Sequence, residues 1–170
     1  MANVNRYVNG EKRTLLINVA SGITVELGDL MFIDDADNLR FNGSSTGDNY
    51  GYPIENLRIS GSSLELNRAE LKNHFLGVAL DDKDGISGGF DRKLTIATSG
   101  QFNFDLKPAK TIRVGQMFGS SGTSTASNLL NQKIAQTTDS NIALGYFTES
   151  KVHAKTADVI IRTIFGSGLI

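Results

Sequence analysis

The chain has 170 residues, 17 basic and 18 acidic side chains, a formal net charge of −1 and no cysteine. These values exclude disulfides, thiolate metal sites and cysteine nucleophiles, and they disfavour a nucleic-acid-binding module, which usually carries a basic excess. Gly, Ser, Thr and Asn supply 60 of the residues, Pro occurs twice and Trp is absent. We therefore predict a turn-rich, mostly β protein of about one domain in size.

The N-terminal segment differs from the rest of the chain in composition. Residues 1–13 are polar apart from Val4, Tyr7 and Val8. We predict an extended arm over residues 1–20 and a β-rich domain over residues 21–170; a frayed terminus is the alternative interpretation. The chain shows no signal-peptide core and no apolar stretch of the ~20 residues that span a bilayer. We expect it to fold in a cytoplasm without entering a membrane.

Short apolar runs separated by turn residues predict strands in the first half of the chain. These runs are residues 14–17, 23–27, 30–33 and 39–41. Residues 42–56 are rich in Gly, Ser, Thr, Asn and Asp, and they include Tyr50 and Tyr52. They predict a long surface loop, and loops of that length are usually functional or disordered.

One segment has the features of a helix, at about residues 63–74. Ser62 and Glu65 have capping-box spacing, which would satisfy backbone N–H groups at the helix start. Apolar residues at Leu64, Leu71 and Phe75 fall on one face. Lys72 and His74 lie in the last predicted turn, where cations suit the helix dipole.

Strands also dominate the predicted second half of the chain. They lie at residues 77–80, 93–98, 101–106, 111–114, 116–118, 142–148 and 159–165. Ser99-Gly100 predicts a tight hairpin turn between two of these strands. Residues 129–134 fit either a short helix or a strand. From these elements we predict a mostly β domain, a small barrel or sandwich with one short helix packed on it and an extended N-terminal arm.

The two halves of the chain share an apolar pattern. Residues 24–30 match residues 111–117 in apolar pattern, and a Leu-Gly pair follows each, at residues 76–77 and 144–145. We interpret these segments as two similar strand–turn–strand units, in which each Gly permits a backbone angle or a close approach that a Cβ would block. Chance reuse of the same turn chemistry is the alternative.

Two possible metal sites fail on closer reading. His74 and His153 are the only histidines, predicted at a helix end and in a loop, and two histidines without cysteine argue against zinc. Asp81, Asp82 and Asp84 precede a glycine but miss the EF-hand spacing, which leaves a looser cation site as the alternative.

One serine lies in a Gly-rich setting, within residues 85–89 (GISGG). A nucleophile elbow needs a helix after the serine, whereas a strand is predicted here, so we interpret Ser87 as part of a hairpin loop. We therefore predict no catalytic residue, no metal and no cofactor, and we do not expect an enzyme.

Five segments together carry a resemblance to a known family. They are residues 22–30 (GITVELGDL), 75–79 (FLGVA), 95–102 (TIATSGQF), 114–119 (VGQMFG) and 144–146 (LGY). In this order the segments resemble a family of tailed-bacteriophage head-decoration (capsid cement) proteins. The likeness runs over roughly residues 22–165, and neither the 42–56 loop nor the first 20 residues belong to it.

The resemblance implies a structural virion protein. Such a protein binds the outer surface of a mature phage capsid, bridges major capsid protein subunits and stabilises the shell, commonly as a homotrimer. It implies assembly in the bacterial host cytoplasm and a final location on the capsid exterior. It implies no nucleic-acid and no membrane partner.

We predict two contact regions for such a protein. An extended arm can add a strand to a sheet edge of the coat protein, and the predicted capsid-binding residues of the arm are Val4, Arg6, Tyr7, Val8, Lys12 and Arg13. The apolar C-terminal run predicts either an oligomer interface or a strand of the monomer core. Its candidate interface residues are Ile164, Phe165, Leu169 and Ile170.

Two other classes of function compete with this interpretation. A carbohydrate- or receptor-binding β-module on a virion surface would use Tyr50 and Tyr52 as a stacking platform, although sugar sites often use Trp. A hydrolase would have to rely on Ser87.

Overall fold

The protein is mostly β, with one α-helix in the part of the chain that the structure describes. The computed structural model describes residues 7–9, 13–34, 50–57, 63–85, 92–123 and 128–164. The strands are β1 (Tyr7–Asn9), β2 (Thr14–Val19), β3 (Leu30–Asp34), β4 (Tyr50–Pro53), β5 (Phe75–Ala79), β6 (Arg92–Ala97), β7 (Gln101–Ile112), β8 (Met117–Gly122), β9 (Leu129–Thr137), β10 (Gly145–Phe147) and β11 (Lys151–Ile161). The helix α1 is Leu64–His74, and a 3₁₀ helix covers Ile54–Asn56. The predicted fold class, a mostly β protein forming a small barrel or sandwich with one short helix, is confirmed, and of the two predicted architectures the structure has the barrel.

Two closed five-stranded barrels follow one another along the chain. The first, which we call the N-barrel, has the strand order β2-β4-β3-β5-β6 and closes by pairing β2 with β6. The second, the C-barrel, has the order β7-β11-β10-β8-β9 and closes through a parallel pair of β7 with β9. Strand β1 adds to β7 outside this ring.

The two barrels have the same topology. In each, the first strand runs parallel to the third, and the other four pairings are antiparallel. The register also matches: Met31 pairs with Gly77 in the N-barrel as Phe118 pairs with Gly145 in the C-barrel. The predicted internal similarity is therefore present and extends to the whole barrel, although residues 23–27 do not form the first strand of the predicted strand–turn–strand unit.

The turn before the second strand of each barrel is held by the same hydrogen bonds. Gly28 N–H donates to the Ala79 carbonyl at 2.9 Å, and Gly115 N–H donates to the Phe147 carbonyl at 2.9 Å. Both glycines have positive φ, 91° and 80° respectively, a conformation that other residues adopt at a cost. The shared Gly of the sequence pattern thus marks a shared backbone conformation.

A second pair of glycines permits close approach between neighbouring strands. A Cβ on Gly77 would lie 1.9 Å from the Ala97 carbonyl oxygen, and a Cβ on Gly145 would lie 2.0 Å from the Ile160 carbonyl oxygen. Both distances are far shorter than a van der Waals contact. The Leu-Gly pairs of the sequence pattern therefore lie where two strands of each barrel meet.

The N-cap of helix α1 lies one residue later than predicted. The N-cap is Ser63, whose hydroxyl accepts a hydrogen bond from the Leu66 N–H at 3.3 Å. The predicted capping box with Ser62 at the cap is therefore wrong, and Ser62 itself lies outside the described residues. Leu71 is buried, as the apolar face predicted.

The largest cluster of buried apolar side chains includes residues from both barrels. It contains Phe32 and Tyr52 from the N-barrel, Phe104 and Phe118 from the C-barrel, and Leu71 from α1. The helix packs against β3 of one barrel and against β8 and β9 of the other. Burial of one shared core therefore joins the two barrels into a single unit.

One strand prediction, the end of a second and one hairpin-turn prediction are wrong. Residues 23–27 form a single bridge at Val25 instead of a strand, and residues 113–114 are a turn after β7 instead of part of a strand. Ser99-Gly100 does not close a hairpin, because β6 belongs to the N-barrel and β7 to the C-barrel. These two residues connect the barrels.

Other boundaries are clearer in the structure than in the sequence. The undecided segment around residues 129–134 is a strand, β9. The predicted strand at 142–148 is shorter, since β10 has three residues. Strand β2 lies inside the N-barrel, so residues 14–19 belong to the β-rich domain instead of to the predicted 1–20 arm. Predicted strand 39–41 lies outside the described residues.

Candidate interaction surfaces

The described part of the predicted capsid-binding arm is attached to the barrels. Strand β1 pairs with the start of β7, and Val8 is 46% exposed. Arg13 is exposed, its carbonyl accepts a hydrogen bond from the Thr98 N–H at 2.8 Å, and its N–H donates to the Ser99 hydroxyl. Three of the predicted arm residues lie outside the described residues, namely Val4, Arg6 and Lys12. Of Tyr7, only the backbone is described.

One residue of the predicted oligomer interface lies where the C-terminal end of the described chain contacts the N-barrel. Ile164 is 43% exposed, and its N–H donates to the Phe75 carbonyl at 3.1 Å. Strand β11 ends at Ile161, before this residue. The other candidates, Phe165, Leu169 and Ile170, lie outside the described residues.

The acidic cluster of residues 81–84 has a structural role. The Asp81 carboxylate accepts a hydrogen bond from the Thr95 N–H at 2.8 Å, and Glu149 accepts one from the Asp158 N–H at the equivalent place in the C-barrel. Lys83 is buried, and its ammonium donates to the carbonyls of Ala20 and Ile23, each at 2.9 Å. Among the described residues, the structure groups no three His, Asp or Glu side chains that could hold a metal ion.

The other candidate side chains are distributed over the fold. His74 lies at the end of α1, as predicted, with its Nδ1 3.0 Å from the Glu70 carbonyl oxygen. His153 lies in β11, not in a loop, and has a positive φ of 48°. Ser87 is outside the described residues.

The proposed tyrosine platform for sugar binding is not formed. Tyr52 is 1% exposed and its ring lies 5.8 Å from that of Phe32 in the core. Tyr50 is half-buried at the start of β4. The two tyrosines lie two positions apart on a strand and therefore face the same side. That side packs against the core that contains Tyr52, so it offers no exposed aromatic face.

A polar contact joins the turn of the N-barrel to the third strand of the C-barrel. The Gln132 side-chain amide donates to an Asp29 carboxylate oxygen at 3.0 Å and approaches Glu26 Oε2 and the Leu27 carbonyl at 3.4 Å. Asn131 Oδ1 accepts a hydrogen bond from the Glu55 N–H at 2.8 Å. Gly28 is buried and Asp29 is 2% exposed in this contact.

The environment of Asp29 disfavours its charged form. Burial raises the pKa of Asp29 to about 6, the hydrogen bonds from the Glu26 N–H and from Gln132 oppose this effect, and the charges of Glu26 and Glu55 add to it. Desolvation dominates because the carboxylate lies under β9. The contact between the barrels therefore contains a carboxyl group that titrates near neutral pH.

The equivalent turn of the C-barrel has the same backbone hydrogen bonds but is more exposed to solvent. Arg113 N–H donates to Gln116 Oε1 at 2.8 Å, as Glu26 N–H donates to Asp29 Oδ2 at 2.9 Å. Val114 is 63% exposed, whereas Leu27 at the matching position is 38% exposed. Gly115 is exposed where Gly28 is buried.

The two barrels also differ in charge. Residues 1–98 carry 10 basic and 14 acidic side chains, whereas residues 99–170 carry 7 basic and 4 acidic ones. In the C-barrel, a shallow cavity of about 390 Å³ is lined by three lysines, Lys107, Lys133 and Lys155. The chain is therefore electrically polar despite its net charge of −1.

A second cavity, of about 230 Å³, lies where α1 meets the C-barrel. Arg162 donates to the Tyr146 hydroxyl at 3.0 Å and lies over its ring, and Lys72 bonds to the Ser140 carbonyl. These polar groups bond to other groups of the protein where the two barrels meet. We therefore interpret the cavity as a gap left by the packing of the barrels.

The sequence pattern did not predict the difference in burial between the two turns. The repeat in the sequence identified both turns, but burial of one by β9 depends on how the barrels pack.

No family model matches the chain, and no curated protein matches it. No helix in the described ranges is long and apolar enough to cross a bilayer.

Proposed function

We propose that this chain is a structural virion protein that binds the outer surface of a mature phage capsid and stabilises it by bridging major capsid protein subunits. The observation that carries the proposal is the placement of the segments that resemble capsid cement proteins. They form the same turn and the same close strand contact in both barrels, at Gly28 and Gly77 and again at Gly115 and Gly145. Segments that carry the resemblance thus lie at matching places in the two barrels, which supports the proposal.

A tandem barrel suits the task of bridging. Two barrels with one topology offer two similar surfaces at a fixed spacing, because one core joins them. A capsid repeats its own surface at fixed spacings, so the second contact becomes intramolecular once the first has formed. Binding only to the assembled lattice then stabilises the lattice by mass action.

The N-terminal arm remains our candidate for the capsid contact. Its described part pairs with the edge of β7 through two residues only, Tyr7 and Asn9. An extended segment of this kind can pair with an edge strand of the coat protein. The proposal places this contact on the capsid exterior, with the protein assembled as a homotrimer in the host cytoplasm.

Co-sedimentation with expanded phage heads that lack this protein tests the proposal. We expect the full chain to bind the heads and to raise their thermal disruption temperature. Deletion of residues 1–12 should abolish binding while far-UV circular dichroism stays unchanged. Because the deletion also removes β1, a second variant, Arg6→Ala/Lys12→Ala, reduces the arm's charge without shortening it and should weaken binding.

Each result has a distinct meaning. If the full chain fails to bind the heads, the proposed function is wrong. If the deletion variant binds as well as the full chain, the function stands and the arm is not the capsid contact. A Leu66→Asp variant serves as the control, because Leu66 is exposed in the first turn of α1, where an acidic residue is tolerated.

A further inference from the structure

Parts of β7 and β11 form a solvent-exposed surface on the C-barrel. Residues 107–111 of β7 are all exposed, and so are residues 151–153 and 155–156 of β11. The two strands pair here through Lys110 and Ala154. Because alternate residues of a strand face opposite sides, five consecutive exposed residues place both sides of β7 in solvent. We call residues 107–111 and 151–156 together the lysine ribbon.

The lysine ribbon is cationic. Its sequence contains no Asp and no Glu, and it carries four basic side chains: Lys107, Lys110, Lys151 and Lys155. One of these has a nearby acidic partner outside the ribbon, since Lys151 Nζ lies 2.6 Å from Glu149 Oε1. The ribbon therefore presents an excess of positive charge to solvent.

A third strand adds to this charge. Lys107 and Lys155 line the shallow cavity of about 390 Å³ together with Lys133 of β9, and Asp105 is the one acidic residue of its lining. Three ammonium groups thus surround one concave surface with a single carboxylate among them. A concave surface of one charge sign concentrates the field and attracts a partner of the opposite sign.

Apolar side chains lie among the lysines of the ribbon. Val152 is 74% exposed, and Pro108 and Ala109 are exposed between two lysines. Protein interfaces combine apolar contacts with charged groups around them, whereas a phosphate backbone offers no partner to an apolar side chain. The ribbon also contains no Arg, Asn, Gln, Phe, Tyr or Trp, the side chains that usually read or stack on bases. These features favour a carboxylate-bearing protein surface over a nucleic acid.

The distribution of charge also gives the protein an orientation. Residues 14–98, which contain the N-barrel, carry 7 basic and 13 acidic side chains. The arm strand β1 pairs with β7 of the C-barrel, and residues 1–13 carry 3 basic side chains and 1 acidic one. An acidic partner therefore attracts the arm and the lysine ribbon and repels the N-barrel.

We propose that the lysine ribbon binds a carboxylate-bearing face of the major capsid protein, with the C-barrel toward the shell and the N-barrel outward. This inference rests on the proposed capsid role and adds the chemistry of the coat surface and the orientation of the bound protein. Gln101, which pairs with the arm, and Lys107 lie about 20 Å apart along β7, so the arm and the ribbon can contact one shell together. Lysine is a mobile point charge without a fixed geometry, so the ribbon acts mainly on the association rate.

The rate of association with heads that lack this protein tests the role of charge. Lys107→Glu/Lys155→Glu should lower the association rate constant about tenfold or more at low salt. The difference should shrink in 1 M salt, where the Debye length is about 3 Å. Arg92→Glu/Lys93→Glu is the matched control, because it changes the net charge equally at exposed residues of β6 in the N-barrel; it should change the rate by less than about threefold.

A milder pair of variants keeps the test valid if charge reversal disturbs folding. Lys107→Gln/Lys155→Gln removes two charges without adding acids and should slow association in the same direction by a smaller factor. Val152→Ser should raise the dissociation rate about threefold to tenfold, because it removes an apolar contact from the interface. Leu16→Ser is its control, at a residue of β2 in the N-barrel that is 67% exposed, and should leave the dissociation rate unchanged.

Zero-length cross-linking locates the partner groups. A water-soluble carbodiimide activates a carboxylate, and a lysine amine then attacks it, so that an amide bond forms and the carbodiimide leaves as a urea. Mass spectrometry of treated, decorated heads should find lysines of the ribbon joined to Asp or Glu of the coat protein. Lys93, which is exposed on the N-barrel, should not be joined to the coat.

The outcomes separate this inference from the proposed function. If the full chain does not bind the heads, the proposed function is wrong and the inference falls with it. If the full chain binds and both double variants of the ribbon associate equally fast, the function stands and the ribbon is not the contact. Cross-links confined to lysines of the N-barrel refute the orientation. Binding that is lost after nuclease treatment assigns the ribbon to a nucleic acid and overturns the inference.

Discussion

The close strand contacts at Gly77 and Gly145 lead to the sharpest stability prediction. Gly77→Ala places a Cβ 1.9 Å from the Ala97 carbonyl oxygen at a residue whose φ is 143°. Gly145→Ala places one 2.0 Å from the Ile160 carbonyl oxygen, without a positive φ. Gly115→Ala has the positive φ, 80°, and no atom within 4 Å of the new Cβ.

These three variants separate the cost of a positive φ from the cost of steric overlap with a neighbouring strand. A side chain at a positive φ costs about 1–2 kcal/mol. Overpacking a closed core costs about 1–3 kcal/mol, because here the neighbouring strand must move by roughly 1 Å. We therefore expect a loss of about 1 kcal/mol for Gly115→Ala, about 2 for Gly145→Ala and about 3–4 for Gly77→Ala.

Urea unfolding followed by circular dichroism measures these losses, provided that the m-values agree. If Gly77→Ala does not fold, its yield of soluble protein and the ordering of the other two variants remain measurable. A Gly77→Ala variant that is no less stable than Gly115→Ala would refute the close approach of β5 and β6 at this position.

Two further predictions concern buried ionisable groups. Burial raises the pKa of Asp29 to about 6. The contribution of this group to stability is therefore fully present below pH ~4 and is lost as the pH rises through about 6, by up to about 3 kcal/mol. Asp29→Asn should flatten the profile of unfolding free energy between pH 4 and pH 7, and an unchanged profile contradicts the assignment. Lys83→Met removes the donor to two backbone carbonyls and should cost about 2 kcal/mol or more in urea unfolding, whereas Lys93→Met, at an exposed residue of β6, should cost less than about 0.5 kcal/mol.

Local patterns in the sequence predicted the elements whose causes are local. Helix α1 follows from its apolar spacing and its basic last turn, and β3 and β5 follow from short apolar runs between turn residues. The internal similarity was also visible, because Gly28 and Gly115 are required by backbone geometry. A residue type that the local backbone conformation requires can be recognised from a single sequence.

Packing between distant segments left no such signal. Ser99-Gly100 has the composition of a hairpin turn, yet β6 completes one barrel and β7 begins the next. Residues 23–27 alternate like a strand, but Val25 forms only one bridge, to Lys83, before the turn at Gly28 leads the chain into β3. The local pattern of a segment is the same whether it pairs with the next segment or with one far along the chain. The pattern therefore does not reveal the partner.

The seam explains why only one barrel carries the helix. Between β4 and β5 the N-barrel inserts α1, whereas the matching connection of the C-barrel is a short segment, residues 138–144. Arg68 on α1 donates to the Ser120 carbonyl of β8 at 2.9 Å, and Leu64 lies so close to Gly122 that a Cβ there would be 2.3 Å from its Cδ1. Because a tandem pair has one internal seam, one insertion covers it. A helix at the equivalent place on the C-barrel would lie at the free end of the pair, where it would have no second barrel of the same chain to cover.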